Sequence, residues 1–180
     1  MRHYQRSVEE DPLNLVARSE LAVCLRAAGR PEDADHELRQ LIAINSDFWF
    51  PYFVLGVNLA ISGQWEESAH LCERACQMAP WFKPNVGFRA ALLKRAGKNA
   101  ESQRLLDTLE SANTYDDWIG PSMYYLVLGD LDRTADWAEK AIEQRHPAVF
   151  FFLHAHAAAL KSTPRWPRLA KMMNLNPAVT

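Results

Sequence analysis

The chain has 180 residues, is 48% apolar and carries a formal net charge of −2: enough apolar content for a core, and no global positive field to hold a phosphate backbone, so disorder and nucleic-acid binding are not the default readings. No apolar run approaches the roughly 20 residues needed to cross a bilayer, so no membrane insertion by this segment is expected, and the opening residues lack the apolar stretch of a signal peptide. The three cysteines, Cys24, Cys72 and Cys76, fall inside helical patterns, which speaks against a disulfide framework and for a reducing compartment.

In chain order, residues 1–12, with Tyr4, Ser7, Val8 and Pro12, read as the second helix of a unit whose first helix precedes the chain. Beyond them the chain repeats. Gly29, Gly63 and Gly97 share one column when the sequence is written in rows of 34, a period of helix-turn-helix arrays. Four residues before each glycine stand Leu25, Leu59 and Leu93; seven before stand Ala22, Gly56 and Ala90; five after stand Ala34, Ser68 and Ser102. Small residues let two antiparallel helices approach, leucines fill the seam, and the glycine ends the first helix without a Cβ penalty. On each second helix Leu38 and Leu41, Cys72 and Ala75, Leu106 and Leu109 form the packing face, while Glu32 and Asp33, Glu66 and Glu67, and Glu101 offset the positive end of its dipole. These columns predict units at 14–46, 48–80 and 82–112, with Pro80 closing the second. Arg89 departs from the pattern, since Leu21 and Leu55 hold its column.

The last third keeps the motif in a shifted rhythm. Residues 115–146 read as a fourth helix pair turning at Gly129, 32 residues after Gly97, with Leu131, Ala135, Trp137, Ala138 and Ala141 as packing positions. Residues 147–180 read as capping helices: an apolar one near 147–160, then a Ser162/Thr163 cap, Pro164 in the first turn, and a final amphipathic helix whose Trp166, Leu169, Met172 and Met173 cover the open end.

With these columns the chain resembles the tetratricopeptide repeat (TPR) family from about residue 14 to 112. Its ending is similar to the TPR tails of bacterial multidomain regulators of the serine/threonine kinase, adenylate cyclase and winged-helix types. Leu128, Gly129, Asp130, Asp132, Trp137, Glu139, Ala141, Glu143 and Arg145 carry that likeness, followed by Pro164, Arg165, Trp166, Leu169 and Met173. The resemblance implies an all-α fold, a right-handed α-solenoid of antiparallel helix pairs with a C-terminal capping helix. It also implies a scaffolding or regulatory attachment, and it transfers no catalytic residue. A cytoplasmic location is expected, or an extracytoplasmic one if the segment follows a membrane helix in a longer protein.

In such an array the first helix of each unit lines the concave surface. The columns that face a ligand give a candidate peptide-binding groove of Phe50, Phe53, Val54, Val57, Ile61, Phe88, Lys94 and Arg95, apolar in the middle and basic at one end. Ser19, Val23, Val54 and Phe88 stand where carboxylate-holding TPR modules place Lys, Asn and Arg, so that mode is not expected. Phe48, Trp49, Trp81 and Phe82 read first as fillers of the joints between units, and Phe50 and Phe53 equally as fillers or anchors. The expected partner is a protein or peptide. The alternative is a homo-oligomerisation scaffold with no separate ligand.

Enzymatic chemistry is not expected, because no G-x-S-x-G or phosphate-cradling glycine loop occurs and no cofactor motif is found. Cys72 and Cys76, four apart, share a helix face, but a closed zinc site needs about four ligands and only His70 and Cys24 offer themselves, so both read as buried packing residues. His154 and His156, two apart, point to different faces of a helix. Glu9 with Glu10 and Asp116 with Asp117 read as solvated helix ends.

Overall fold

The computed structural model describes residues 2–111 and 117–175, and every regular element in them is an α-helix. The chain divides into two compact units, Met1–Trp81 and Phe82–Thr180. The first holds α1 (Arg2–Glu10), α2 (Leu15–Ala27), α3 (Pro31–Ile44), α4 (Trp49–Ile61) and α5 (Trp65–Met78). The second holds α6 (Lys83–Arg95), α7 (Asn99–Ser111), α8 (Ile119–Leu128), α9 (Leu131–Glu143), α10 (Ala148–Lys161) and α11 (Trp166–Met172). Residues 112–116, where the third and fourth units were expected to meet, lie outside the described residues, as does Asp116.

The glycine column is realised as geometry. Gly29, Gly63, Gly97 and Gly129 all have φ between 77° and 82°, a left-handed conformation that costs a residue with a Cβ about 1–2 kcal/mol. At each, the glycine N–H donates to the carbonyl three residues back and the next N–H to the carbonyl five back: Gly63 to Ala60 and Gln64 to Leu59, for example, at 3.0 and 2.8 Å. Two amides thereby satisfy carbonyls that a helix end would otherwise leave open. Arg145 and Asn174 close α9 and α11 with the same bond pattern at φ 55° and 56°.

Between those turns the helices pack as the columns require. α2, α4 and α6 are each 13 residues long and begin 34 residues apart. Ala22 and Ala90 on the first helices are fully buried, as are Ala34, Ser68 and Ser102 on the second. The serines add a bond that an alanine lacks: Ser68 Oγ donates to the Gly56 carbonyl at 2.9 Å and Ser102 Oγ to the Ala90 carbonyl at 2.7 Å. Leu38, Leu41, Cys72, Ala75, Leu106 and Leu109 are all buried. Leu59 is buried too, whereas Leu25 and Leu93 are half-buried. In the first unit α2 packs on α1, α3 and α4, and α4 on α3 and α5; in the second α6 packs on α7 and α8, and α8 on α9.

The fourth pair keeps its register about its own glycine. Ser122 stands seven before Gly129, and Thr134, Ala138 and Ala141 stand five, nine and twelve after it, all buried. The shift of rhythm is taken up at the start of α8, which has 10 residues where α2, α4 and α6 have 13.

Three sequence expectations are corrected here. Ser162 and Thr163 do not cap the last helix: their hydroxyls donate backward to the carbonyls of Ala159 and Leu160, both at 2.7 Å, and so finish α10. The last helix starts later, at Trp166, with Pro167 and not Pro164 in its first turn. It is held on α9 by Arg165, which reaches Asp136 at 2.7 Å and Glu139 at 2.8 Å, and by Arg168 on Glu139 at 3.1 Å. Asp117 is no solvated helix end either, since it is buried and paired with Lys83 at 2.6 Å. Arg89, the misfit of its column, points outward and pairs loosely with Glu101 at 3.7 Å, so its charge stays in water.

Candidate functional site

The expected groove residues fall in two units, and each set is described on its own. In the first unit α4 presents Phe50 half-buried and Ile61 43% exposed, but Phe53 and Val54 are buried and Val57 is 1% exposed. In the second, Phe88 is 0% exposed, while Lys94 and Arg95 stand exposed in the last turn of α6. Val57 and Phe88 therefore act as core side chains and offer no surface to a ligand. Lys94 and Arg95 sit beside the last carbonyls of their helix, where positive charge is favourable in any case.

What remains open in the first unit is an aromatic cluster at the start of α4. Trp49 meets Phe50 edge-on at 5.3 Å between ring centroids and meets Trp81 edge-on at 5.6 Å. Phe50 stacks on Phe53 at 6.4 Å, and Phe48 lies 6.5 Å from Phe50. Trp81, read from the sequence as a joint filler, is 69% exposed. Leu13, Val16 and Ile44 are further large apolar side chains left in solvent, so among the described residues all such exposed groups lie in the first unit. Leu13 and Trp81 stand just before a helix start, beyond the face that the helix period defines, whereas Val16 opens α2 and Ile44 and Ile61 close α3 and α4.

Polar residues of α2, α3 and α4 engage one another. Arg26 donates to the Asn58 carbonyl and to Ser62 Oγ, both at 3.3 Å, and lies 3.9 Å from Asp35, which accepts from Asn58 Nδ2 at 2.9 Å. This network ties α2 to α3 and α4. Glu20 differs: burial pushes its carboxyl above the usual range. Burial likewise raises the Tyr4 phenol, helped by the neighbouring Glu20 carboxylate.

Among the described residues no three His, Cys, Asp or Glu side chains gather to hold a metal ion. Cys72 and Cys76 do come together, with Sγ atoms 4.0 Å apart. His156 packs edge-on against Phe152 at 5.0 Å, and the His154 side chain lies outside the described residues. An open depression of about 450 Å³ is lined by Gln64, Trp65, Glu66, Glu67 and His70. No helix among the described residues is long and apolar enough to cross a membrane. Compared with known proteins, the chain matches no protein-family model and no curated protein sequence.

Proposed function

We propose that the chain is a protein-protein interaction module: a TPR-type α-solenoid that binds a peptide or partner protein and serves as the scaffolding or regulatory part of a larger bacterial regulator in the cytoplasm. One observation carries the reading. Three helices of equal length begin 34 residues apart and end in the same left-handed glycine closure, which supports a repeat whose packing columns fix the fold and whose remaining face is free to vary. The exposed aromatic and aliphatic side chains of the first unit supply what an interface needs, because aromatic anchors dominate binding energies. We propose no intrinsic enzymatic activity, since the sequence carries no catalytic or phosphate-cradling motif.

The binding surface is moved from the middle of α4 to its rim, to Phe50, Ile61 and Trp81. The test is a pull-down from the source organism with the wild-type chain beside a Phe50→Glu, Trp81→Ala variant, with circular dichroism on both. A partner retained by wild type and lost by an equally helical variant is the expected result. Equal capture by both would sink the surface assignment.

Self-association is the second reading, and charge favours it. Residues 1–81 carry seven basic and twelve acidic side chains, net −5, while 82–180 carry thirteen and ten, net +3. Opposite fields of this kind attract a second copy and are screened by salt. Light scattering at low and high ionic strength tests this, and a monomer at high concentration in both would refute it.

A further inference from the structure

Short connections gather five helix termini at one end of the first unit. α2 packs on α3 across the turn at Gly29 and α4 on α5 across the turn at Gly63, so the starts of α2 and α4 stand beside the ends of α3 and α5. Residues 11–14 bring the end of α1 to the same place. Leu13, Val16, Ile44 and Trp81 are all exposed there. Trp81 meets Trp49 edge-on at 5.6 Å, and Trp49 meets Phe50 at 5.3 Å, which extends the patch across the start of α4.

The charge around this patch has one sign. Glu9, Asp11 and Asp47 are exposed at the same end and, among the described residues, enter no ion pair. Cations on the adjoining turns are engaged within the unit: Arg6 on Glu10 at 2.8 Å, Arg18 on Glu37 at 2.5 Å, and Arg74 over the Tyr52 ring at 5.8 Å. The ends of α1, α3 and α5 add the negative poles of three helix dipoles, against the positive poles of α2 and α4. An occupant must therefore bring apolar side chains and positive charge together.

A second copy fits this patch poorly. Face to face it would set the same carboxylates against each other, a like-charge contact, and among the described residues the second unit exposes no large apolar side chain to lay on the rings. Resting on the interaction-module reading above, we propose that this end of the first unit docks a cationic amphipathic segment of another protein, one that combines large apolar side chains with flanking lysine or arginine.

The experiment uses the whole chain and a fluorescein-labelled amphipathic peptide of about 18 residues, or about five helical turns, built from leucine, tryptophan and lysine. Its counterpart carries glutamate at every lysine. Fluorescence anisotropy should show saturable binding of the lysine peptide and at least about tenfold weaker binding of the glutamate peptide. Trp81→Ala should weaken the lysine peptide about thirtyfold, as loss of an aromatic anchor does, and the pair Asp11→Lys, Asp47→Lys at least about tenfold. The pair Glu32→Lys, Glu66→Lys makes the same charge change in the first turns of α3 and α5, at the other end of the unit. A helix of 13 residues is about 20 Å long, well beyond the screening length of about 8 Å at physiological salt, so this pair should leave binding within about twofold. Circular dichroism on each variant separates lost binding from lost helix, and the exposed Trp81 keeps the test decisive if a lysine pair unsettles a helix end. No saturable binding, equal binding of the two peptides, an equal loss in the two lysine pairs, or a wild-type dimer that Trp81→Ala dissolves would each overturn the proposal. A partner captured in the pull-down and held equally by Asp11→Lys, Asp47→Lys would overturn it as well, while leaving the chain an interaction module.

Discussion

Gly87→Ala should be among the most damaging small substitutions in the second unit. Gly87 lies on α6 where it crosses α8, and a Cβ placed on it would stand 2.0 Å from the Gly120 carbonyl oxygen and 2.8 Å from the carbonyl carbon. Ordinary contact begins at about 3.4 Å, so the two backbones would have to part by more than 1 Å. No rotamer change relieves a clash with backbone. Separating the helices opens a seam around Phe88, Ala91 and Leu109, all buried. Overpacking of a tight core costs about 1–3 kcal/mol and sometimes more, against about 1 kcal/mol gained from alanine's better helix propensity. With a backbone clash at the upper end of that range, the net loss is about 2 kcal/mol, a fall in Tm of about 10 °C if the second unit melts alone and about 5 °C if the whole chain melts together. Thermal melts by circular dichroism read this directly. Gly120→Ala should cost less, because its nearest obstacle is the movable end of the Leu109 side chain at 2.7 Å. A Gly87→Ala protein as stable as wild type would refute the close crossing of α6 and α8.

Four further outcomes are expected. At Gly97, with open space but φ 78°, alanine should cost about 1–2 kcal/mol by unfolding in urea, and asparagine less, as Asn174 already holds that conformation. Conversely, Arg145→Gly should stabilise by up to about 1 kcal/mol, because φ 55° is strained for arginine; no change in the urea midpoint would count against it. Ser68→Ala should cost about 0.5–1.5 kcal/mol through the lost bond to the Gly56 carbonyl, while its shape is tolerated, as Ala34 fills the same column. Glu20 sets a pH dependence: its carboxyl is raised in the folded state, so the fold binds more protons than the unfolded chain just above pH 4.5, and stability falls as pH rises through that window. Melts from pH 4 to 7 should show Glu20→Gln without this fall and more stable than wild type at neutral pH; parallel profiles would remove the assignment.

The pairs of helices were legible because their signals are local and have no substitutes. A left-handed closure demands glycine, and two backbones at close approach demand a small residue, so Gly29, Gly63 and Gly97 with Ala22 and Ala90 announce themselves at a fixed spacing. The shifted fourth pair was legible for the same reason, once Gly129 is taken as its own origin. Ser162 and Thr163 were misread because a hydroxyl at a helix junction has two targets. It can accept from the amides ahead or donate to the carbonyls behind, and the sequence is the same in both cases. The last helix was expected to turn in at Pro164; it begins at Trp166 instead, and the ion pairs of Arg165 and Arg168 hold it on α9.

The surface was less legible, because helical period gives the direction of a side chain and not the depth at which it ends. Phe50 and Phe53 differ by three residues and share a face, yet one is half-buried and the other buried, as the neighbours that cover them come from other helices. Val57 sat in a ligand-facing column and is sealed. Trp81 belonged to no helix column, was assigned to a joint, and is open to solvent. A helix-facing column thus sets the fold more firmly than it sets a binding surface. Substitutions meant to abolish binding belong at Phe50, Ile61 and Trp81, where a lost partner reports on the surface; at Val57 or Phe88 a charge would unfold the helix pair first, and the same lost partner would report only on stability.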